Sequence, residues 1–151
     1  MHNAITGAVN RAEKYHLEGF NCAEAVLLSI AEYFDIECPE IPKIATPFGG
    51  GIARGGSICG AVTGGLMALG LKFGRTTASD TNSRDKSYRK AAEFLNFFEK
   101  KYGTILCYIL IGLDLRTPEG LERLKTIRSG KCMNYVKSAT EIVIHLVESE
   151  Q

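Results

Sequence analysis

The sequence has no tryptophan, only four prolines and almost no excess charge of either sign among its 151 residues. Lysine and arginine total 18 while aspartate and glutamate total 17, which leaves a formal net charge of +1. Proteins that bind nucleic acid present a strongly basic surface to the phosphates. A chain this close to neutral lacks that surface, so we expect no nucleic-acid partner.

Long hydrophobic runs are also missing. The longest uncharged stretch, residues 55–71, is rich in glycine and shorter than the roughly 20 apolar residues of a membrane-spanning helix. The first residues show no basic segment followed by an apolar run, which is the pattern of a secretory signal. We therefore expect no membrane span and a cytoplasmic location. Cysteines there serve more often as metal ligands or reactive thiols than as disulfides.

Apolar residues recur at helical spacing in six segments, whereas alternating strand patterns are scarce. We therefore predict an all-α fold, a compact single-domain bundle of about six helices over residues 1–151. The predicted helices span residues 4–16, 21–34, 57–72, 83–102, 117–128 and 130–148. Residues 105–115 are apolar and also tolerate a strand.

Local signals support several of these helices. Asn21 followed by Glu24 predicts a capping box at the start of the second helix. Thr117 before Pro118 predicts the start of the fifth helix. The inward stripe of the fourth helix is predicted to contain Tyr88, Ala91, Ala92, Leu95, Phe98 and Tyr102.

The glycine-rich centre, residues 48–57, does not match a nucleotide-binding loop. A Walker A loop needs a lysine before its final Ser or Thr, and Gly55-Gly56-Ser57 has none. The dinucleotide pattern fails because Arg54 stands where its third glycine belongs. Glycine instead lets a backbone approach another backbone or a bulky inorganic group. The residues predicted to give this support are Gly49, Gly50, Gly51, Gly60, Ala61 and Gly64.

Small residues also recur along the helix predicted from residue 57 to residue 72. Gly60, Gly64 and Ala68 are four residues apart, and each glycine inside a helix costs about 1 kcal/mol relative to alanine. A close contact must compensate that cost. The contact is helix packing within the chain, a homodimer interface, or room for a cofactor.

Four of the five cysteines, Cys22, Cys59, Cys107 and Cys132, fall at or near the predicted start of a helical segment. Free amide groups and the helix dipole in a first turn stabilise a thiolate, so we expect lowered thiol pKa values, in a range of about 3.5–7.5. Thiolates attack disulfides and bind soft metals. Alternatively, each cysteine packs in the core as a small hydrophobic residue.

The spacing of the cysteines selects no known site. No Cys-x-x-Cys pair is present, so neither a zinc knuckle, a thioredoxin-type pair nor a haem attachment site is indicated. Any cluster must therefore be assembled by tertiary folding. Cys38 lies in a proline-containing loop away from any predicted helix start, and we interpret it as incidental.

Residues other than the cysteines give little indication of catalysis. No paired carboxylates stand out, so we assign no catalytic residue. His16 precedes Cys22 in sequence, but nothing supplies the orienting partner of a Cys–His dyad. His2 lies at the terminus, and His145 falls off the inward stripe of the last helix, so we expect it to be exposed. Three cations lie near the cysteines in sequence, Arg54, Arg75 and Lys131. They either stabilise thiolates or a negatively charged cluster, or are simply solvated.

The cysteines and the glycine-rich centre together resemble a known family. The matching segments are Asn21-Cys22-Ala23-Glu24-Ala25-Val26, Phe48-Gly49-Gly50-Gly51-Ile52, Cys59-Gly60-Ala61-Val62-Thr63-Gly64, Cys107 with Leu110-Ile111-Gly112-Leu113-Asp114-Leu115, and Lys131-Cys132. They resemble the redox-active four-cysteine proteins named for the pattern C_GCAxxG_C_C, from about residue 8 to residue 147. Cys38 lies outside that pattern.

The resemblance implies a helical prokaryotic protein that does redox work through Cys22, Cys59, Cys107 and Cys132. The family is also similar to the non-haem portion of split-Soret-type cytochromes, where an iron–sulfur centre is expected. This chain has no Cys-x-x-Cys-His and so predicts no covalent haem. Four thiolates suit an iron–sulfur cluster.

Three hypotheses about function follow. In the first, the four cysteines hold an iron–sulfur cluster for electron transfer or redox sensing with a redox partner protein. In the second, no metal is bound and pairs of cysteines cycle between dithiol and disulfide. In the third, the four cysteines hold zinc in a binding module without redox turnover. A homodimer is compatible with each.

Overall fold

The fold of residues 1–150, seen in a computed structural model, is built from seven α-helices. These are α1 (His2–Glu18), α2 (Cys22–Tyr33), α3 (Gly60–Phe73), α4 (Thr81–Tyr102), α5 (Cys107–Ile111), α6 (Pro118–Ile127) and α7 (Met133–Glu148). A 3-10 helix spans Lys43–Phe48, and a π-helix, Arg128–Cys132, joins α6 to α7. Within residues 1–150 the only strand-like pairing is one antiparallel bridge between Ile58 and Leu106. The all-α prediction is confirmed.

The predicted helix caps are present. The Asn21 side chain accepts a hydrogen bond from the Glu24 backbone N–H at 2.9 Å, and the Glu24 carboxylate accepts one from the Asn21 N–H at 2.9 Å. This capping box makes Cys22 the first residue of α2. Thr117 Oγ1 accepts a hydrogen bond from the Gly120 N–H at 3.0 Å, with Pro118 in the first helical position.

Two helices begin three residues later than predicted. We expected α3 to begin at residue 57, but residues 57–59 are extended, because the Cys107 N–H donates to the Ser57 carbonyl at 2.7 Å and the Cys59 N–H donates to the Ile105 carbonyl at 2.8 Å. We expected the last helix to begin at residue 130, but the chain completes the π-helix before α7 starts. Both differences place a cysteine immediately before a helix.

The hydrophobic core lies around α2, which packs against α1, α3 and α7, while α4 packs against α3 and α7. The predicted stripe of α4 was wrong in part: Tyr88 is 67% exposed, whereas Phe94 and Phe98 are fully buried. Lys90 on α4 is also buried, and the carboxylates of Glu93 and Glu150 pair with its ammonium group. No helix among the described residues is long and apolar enough to cross a membrane.

The small residues of α3 are used for packing inside the chain. A Cβ on Gly64 would lie 2.6 Å from the carbonyl oxygen of Ala23, so α3 and α2 touch backbone to backbone. A Cβ on Gly65 would lie 2.6 Å from the ring of Phe94 on α4. The small-residue face is therefore covered within the chain, and it does not provide the homodimer interface we considered. A homodimer through another surface stays a prediction.

We expect Gly64→Ala to lower the free energy of unfolding by about 1–3 kcal/mol, because the Ala23 backbone cannot move without separating α2 from α3. Gly70→Ala on the same helix is the matched control, since no atom lies within 4 Å of its Cβ position. That control should instead stabilise the protein by about 0.5–1 kcal/mol. Urea unfolding measures both, and equal effects would contradict the close contact.

Candidate functional site

Each of the four predicted site cysteines lies at the beginning of a helix. Cys22 is the first residue of α2, and Cys107 is the first residue of α5. Cys59 is the N-cap of α3, and Cys132 ends the π-helix directly before α7. The placement at helix starts that we predicted from the sequence is therefore present in the structure.

The fold brings these four cysteines to one cavity of about 80 Å³. We call it the four-cysteine cavity; it is lined by Cys22, Cys59, Cys107 and Cys132 together with His16, Arg128, Tyr135 and several leucine and isoleucine side chains. All four cysteines are free, and three of them, Cys59, Cys107 and Cys132, are buried. Their roles as redox-active residues or ligands stay predictions.

The glycine-rich loop forms one wall of the cavity. Gly50 and Gly51 adopt left-handed backbone conformations, with φ of 66° and 71°. A Cβ on Gly51 would lie 2.6 Å from the Cβ of Cys107, so the loop backbone rests directly on that cysteine. On the opposite side, a Cβ on Gly60 would lie 3.2 Å from the Cβ of Cys22. Glycine at these positions lets the backbone approach the cysteines closely.

The other three predicted support residues lie nearby. A Cβ on Gly49 would lie 2.7 Å from Nδ2 of Asn21, the residue that caps α2. Ala61 is buried in α3, and its backbone N–H interacts with Cys59. Gly64 sets the close contact between α3 and α2. These residues therefore lie close to the cysteines or to the helices that carry them, and their supporting role stays a prediction.

The expected lowering of the thiol pKa was wrong for three of the four cysteines. Burial raises the pKa of Cys59 to about 12, even though backbone N–H groups of α3 act in the opposite direction. Burial likewise raises the pKa of Cys107 to about 11. The pKa of Cys22 is raised well above its ordinary value by the hydrogen bond with Cys132 and by burial. Loss of water around the thiolate outweighs the helix termini at these sites.

Cys132 is the exception, because its pKa is lowered. The first cause is the Cys22 thiol, which donates to the Cys132 sulfur, and the Arg128 and Lys131 cations act in the same direction against burial. Cys22 and Cys132 thus form a pair in which the proton stays on Cys22. Cys132 is the thiol of the cavity that ionises most readily.

His16 is a buried wall residue of the four-cysteine cavity. Its Nε2 lies 3.2 Å from the Arg128 carbonyl oxygen, and its Nδ1 lies 3.5 Å from the Arg128 guanidinium. Burial and this cation lower the pKa of His16 to about 4, which keeps the imidazole neutral at neutral pH. His145 is 60% exposed, as expected, and His2 is also exposed.

Arg128 is the site residue that the sequence analysis missed. It lies one helical turn before Cys132, and this spacing was the available signal. Of the three cations considered instead, Lys131 acts on Cys132, Arg54 lines a neighbouring groove, and Arg75 bonds the Ala78 carbonyl in the loop between α3 and α4. Arg75 is therefore not part of the site.

The cavity differs from a site for one metal ion. In the part of the chain described, residues 1–150, no group of three or more His, Cys, Asp or Glu side chains is arranged to hold a single ion. Two thiolates on one tetrahedral zinc lie about 3.8 Å apart, since each Zn–S bond is about 2.3 Å. The four cysteines instead line a space with room for several atoms.

Cys38 takes no part in this arrangement. Its sulfur lies 3.3 Å from the Glu40 carboxylate, and it does not line the four-cysteine cavity. Its position outside the cavity makes Cys38 a useful control, and its interpretation as incidental stays a prediction.

The fold and the cavity define a class of protein, an all-α bundle in which four free cysteines from distant parts of the chain meet. The chain belongs to the C_GCAxxG_C_C family, whose description is "Putative redox-active protein (C_GCAxxG_C_C)" and whose sequence profile matches residues 20–146. The resemblance found in the sequence is thereby confirmed. No curated protein and no solved structure matches the chain significantly.

The rate at which iodoacetamide alkylates each cysteine rises with pH as its thiol ionises. We expect the midpoint of this rise to lie at a lower pH for Cys132 than for any other cavity cysteine, because only the pKa of Cys132 is lowered. Cys59 should show no plateau below about pH 10, since its pKa is about 12. Mass spectrometry of metal-free protein alkylated from pH 6 to pH 10 measures each midpoint separately.

Arg128→Gln should move the Cys132 midpoint to higher pH, because the cation favours the thiolate. Arg128→Lys keeps the charge and is the matched control. A Cys132 midpoint above that of Cys107 in the unaltered protein would contradict the assignment.

Proposed function

We propose that the four-cysteine cavity holds an iron–sulfur cluster and that the protein uses it to transfer electrons or to sense redox state. The observation that supports this proposal is the meeting of four free cysteines around one cavity of about 80 Å³. Four cysteine thiolates are the usual ligand set of such clusters.

The residues around the cavity fit a cluster. Gly51 and Gly60 place no side chain between their own backbone and the Cβ atoms of Cys107 and Cys22. A cluster with four thiolate ligands is negatively charged, and Arg128 supplies a cation at the cavity wall. When bound, the cluster would supply one-electron transfer.

The apolar side chains that line the four-cysteine cavity would also influence the reduction potential of a cluster. Leu110, Ile111, Leu115 and Leu124 line the cavity, and they limit the access of water to the sulfurs. Tyr135 also lines it, but its hydroxyl donates to the Leu110 carbonyl at 2.9 Å and is therefore engaged. Burial and hydrogen bonding around the sulfurs set the reduction potential of a cluster. The protein would thereby control the potential mainly through burial.

We include a cytoplasmic location in the proposal. All five cysteines are free in the structure, and a reducing compartment keeps thiols in that state. A redox partner protein would then exchange electrons with the site.

Anaerobic reconstitution with iron and sulfide tests the proposal directly. We expect the Cys38→Ser variant, in which the cavity is intact, to become brown and to bind iron and sulfide in equal amounts. Serine at Cys22, Cys59, Cys107 or Cys132 should remove most of the visible absorption, because each change removes a ligand. Circular dichroism and thermal unfolding show whether each variant is folded.

A colourless Cys38→Ser protein after reconstitution would refute the cluster. Metal analysis of the same sample separates the two remaining hypotheses, since a zinc module would contain about one zinc per chain and a thiol–disulfide protein none. Every result therefore selects one of the three hypotheses.

The second candidate function is thiol–disulfide exchange, and the hydrogen bond between the Cys22 and Cys132 thiols favours it. The Cys132 thiolate would attack a partner disulfide and release one thiol, and the Cys22 sulfur would then displace the other. In this reaction the two cysteines lose two electrons and two protons, and the partner disulfide becomes two thiols.

In metal-free Cys38→Ser protein, we expect oxidised glutathione to remove two free thiols and to form one Cys22–Cys132 disulfide, because these two thiols share a hydrogen bond. Cys22→Ser should stop at a mixed disulfide of Cys132 with glutathione. Peptide mapping under non-reducing conditions identifies the products. A disulfide between Cys59 and Cys107 instead would contradict this pairing.

A further inference from the structure

A second, wider groove adjoins the four-cysteine cavity. We call it the entrance groove; it has a volume of about 620 Å³. It shares five lining residues with the cavity, namely Asn21, Gly50, Leu115, Leu124 and Arg128. Pockets for small molecules typically have volumes of about 300–1,000 Å³. The entrance groove is therefore large enough for a small molecule, and it leads towards the cysteines.

The charged side chains of the entrance groove are both positive. Arg54 and Arg128 line it, and no aspartate or glutamate does. Within residues 1–150 neither arginine forms a salt bridge. The carboxylate of Glu24 is already occupied by the Asn21 N–H and by the hydroxyl of Thr46. Arg128 donates to the Phe20 carbonyl at 2.6 Å, but a neutral carbonyl leaves its positive charge uncompensated. Two cations without a carboxylate partner along one groove favour an anion.

Arg54 is held at the groove by an unusual backbone. Ile52, Ala53 and Arg54 all have left-handed φ values, 66°, 50° and 64°, and each such residue costs roughly 1–2 kcal/mol. Hydrogen bonds from the Ala53 N–H to the Pro47 carbonyl at 2.8 Å and from the Arg54 N–H to the Gly49 carbonyl at 3.0 Å maintain this conformation. Strain of this kind is found mainly at functional sites.

We propose that the entrance groove binds the carboxylate or phosphate group of a small molecule through Arg54 and Arg128 and directs that molecule towards the cysteine sulfurs. The reaction of the bound molecule at the sulfurs rests on the proposed redox function. The binding of the anion itself requires only the two arginines and needs no cluster. Arginine is suited to both anions because its planar guanidinium matches their oxygen atoms.

Two alkylating reagents of similar size test the groove in the metal-free full-length chain. Iodoacetate is an anion and iodoacetamide is neutral, so the ratio of their rates at the cavity cysteines reports on charge along the approach and is independent of thiol acidity. Cys38→Ser serves as the background because it removes the cysteine outside the cavity.

We expect Arg54→Gln to lower the ratio of iodoacetate to iodoacetamide rates about fourfold at low ionic strength, the effect of one unit charge at roughly 5 Å in water. Arg54→Lys should keep the ratio of the unaltered protein. Arg75→Gln is the matched control, since Arg75 lies in the loop between α3 and α4 and does not line the groove. Thermal unfolding shows that the variants are folded.

Competition identifies the anionic group. Inorganic phosphate or acetate, at constant ionic strength, should slow iodoacetate more than iodoacetamide, and the stronger competitor indicates which group the groove prefers. An unchanged rate ratio in Arg54→Gln, or equal slowing of both reagents, would overturn the proposal. Failure to assemble an iron–sulfur cluster would refute the proposed function alone and would leave this result unaffected.

Discussion

The close approach of α2 and α3 is the contact on which the candidate site depends. Gly60 and Gly64 have no side chain, so the backbone of α3 lies against Ala23, and Cys22 and Cys59 meet at the same end of the two helices. Cys107 is added because its N–H pairs with the Ser57 carbonyl just before α3. A larger residue at either glycine would separate α3 from α2. Cys59 and Cys107 would then lie farther from Cys22.

Burial of four thiols in one cavity has an electrostatic consequence. Each helix start favours a thiolate, but removal of water disfavours it, and the neighbouring sulfurs repel a second negative charge. Cys22, Cys59 and Cys107 therefore have raised pKa values and keep their protons. Only Cys132 ionises easily, because Cys22 donates to it and Arg128 lies near it. The metal-free site is consequently asymmetric, although the four ligands look alike in the sequence.

Features that depend on neighbouring residues in the chain were predictable from the sequence. The capping box at Asn21 and the start at Thr117 follow from local hydrogen bonds, so their patterns were sufficient. The rotation of α4 was not predictable in the same way. Tyr88 and Phe94 are both suitable for the buried face of α4. Phe94 is the buried residue because Gly65 on α3 leaves space for its ring.

The same distinction applies to the site. The family pattern indicated which cysteines matter, but the pattern contains no information on thiol acidity, because burial is a property of the assembled fold. Arg128 was missed for a related reason. The prediction ended one helix at residue 128 and began the next at residue 130, which separated Arg128 from Cys132 despite their four-residue spacing. In the structure a π-helix spans both residues, and the Arg128 guanidinium donates to the Phe20 carbonyl at 2.6 Å.

The loop of residues 50–54, which has left-handed φ values, connects the four-cysteine cavity with the entrance groove. Gly51 rests on Cys107, and Arg54, three residues later, lines the entrance groove. All residues from Gly50 to Arg54 share left-handed φ values, so the position of the backbone on the cysteine and the position of the arginine are set by one conformation. A loop that relaxed to ordinary φ values would lose both contacts together. The strain in three non-glycine residues is therefore the cost of holding a cation and a cysteine wall in fixed relation.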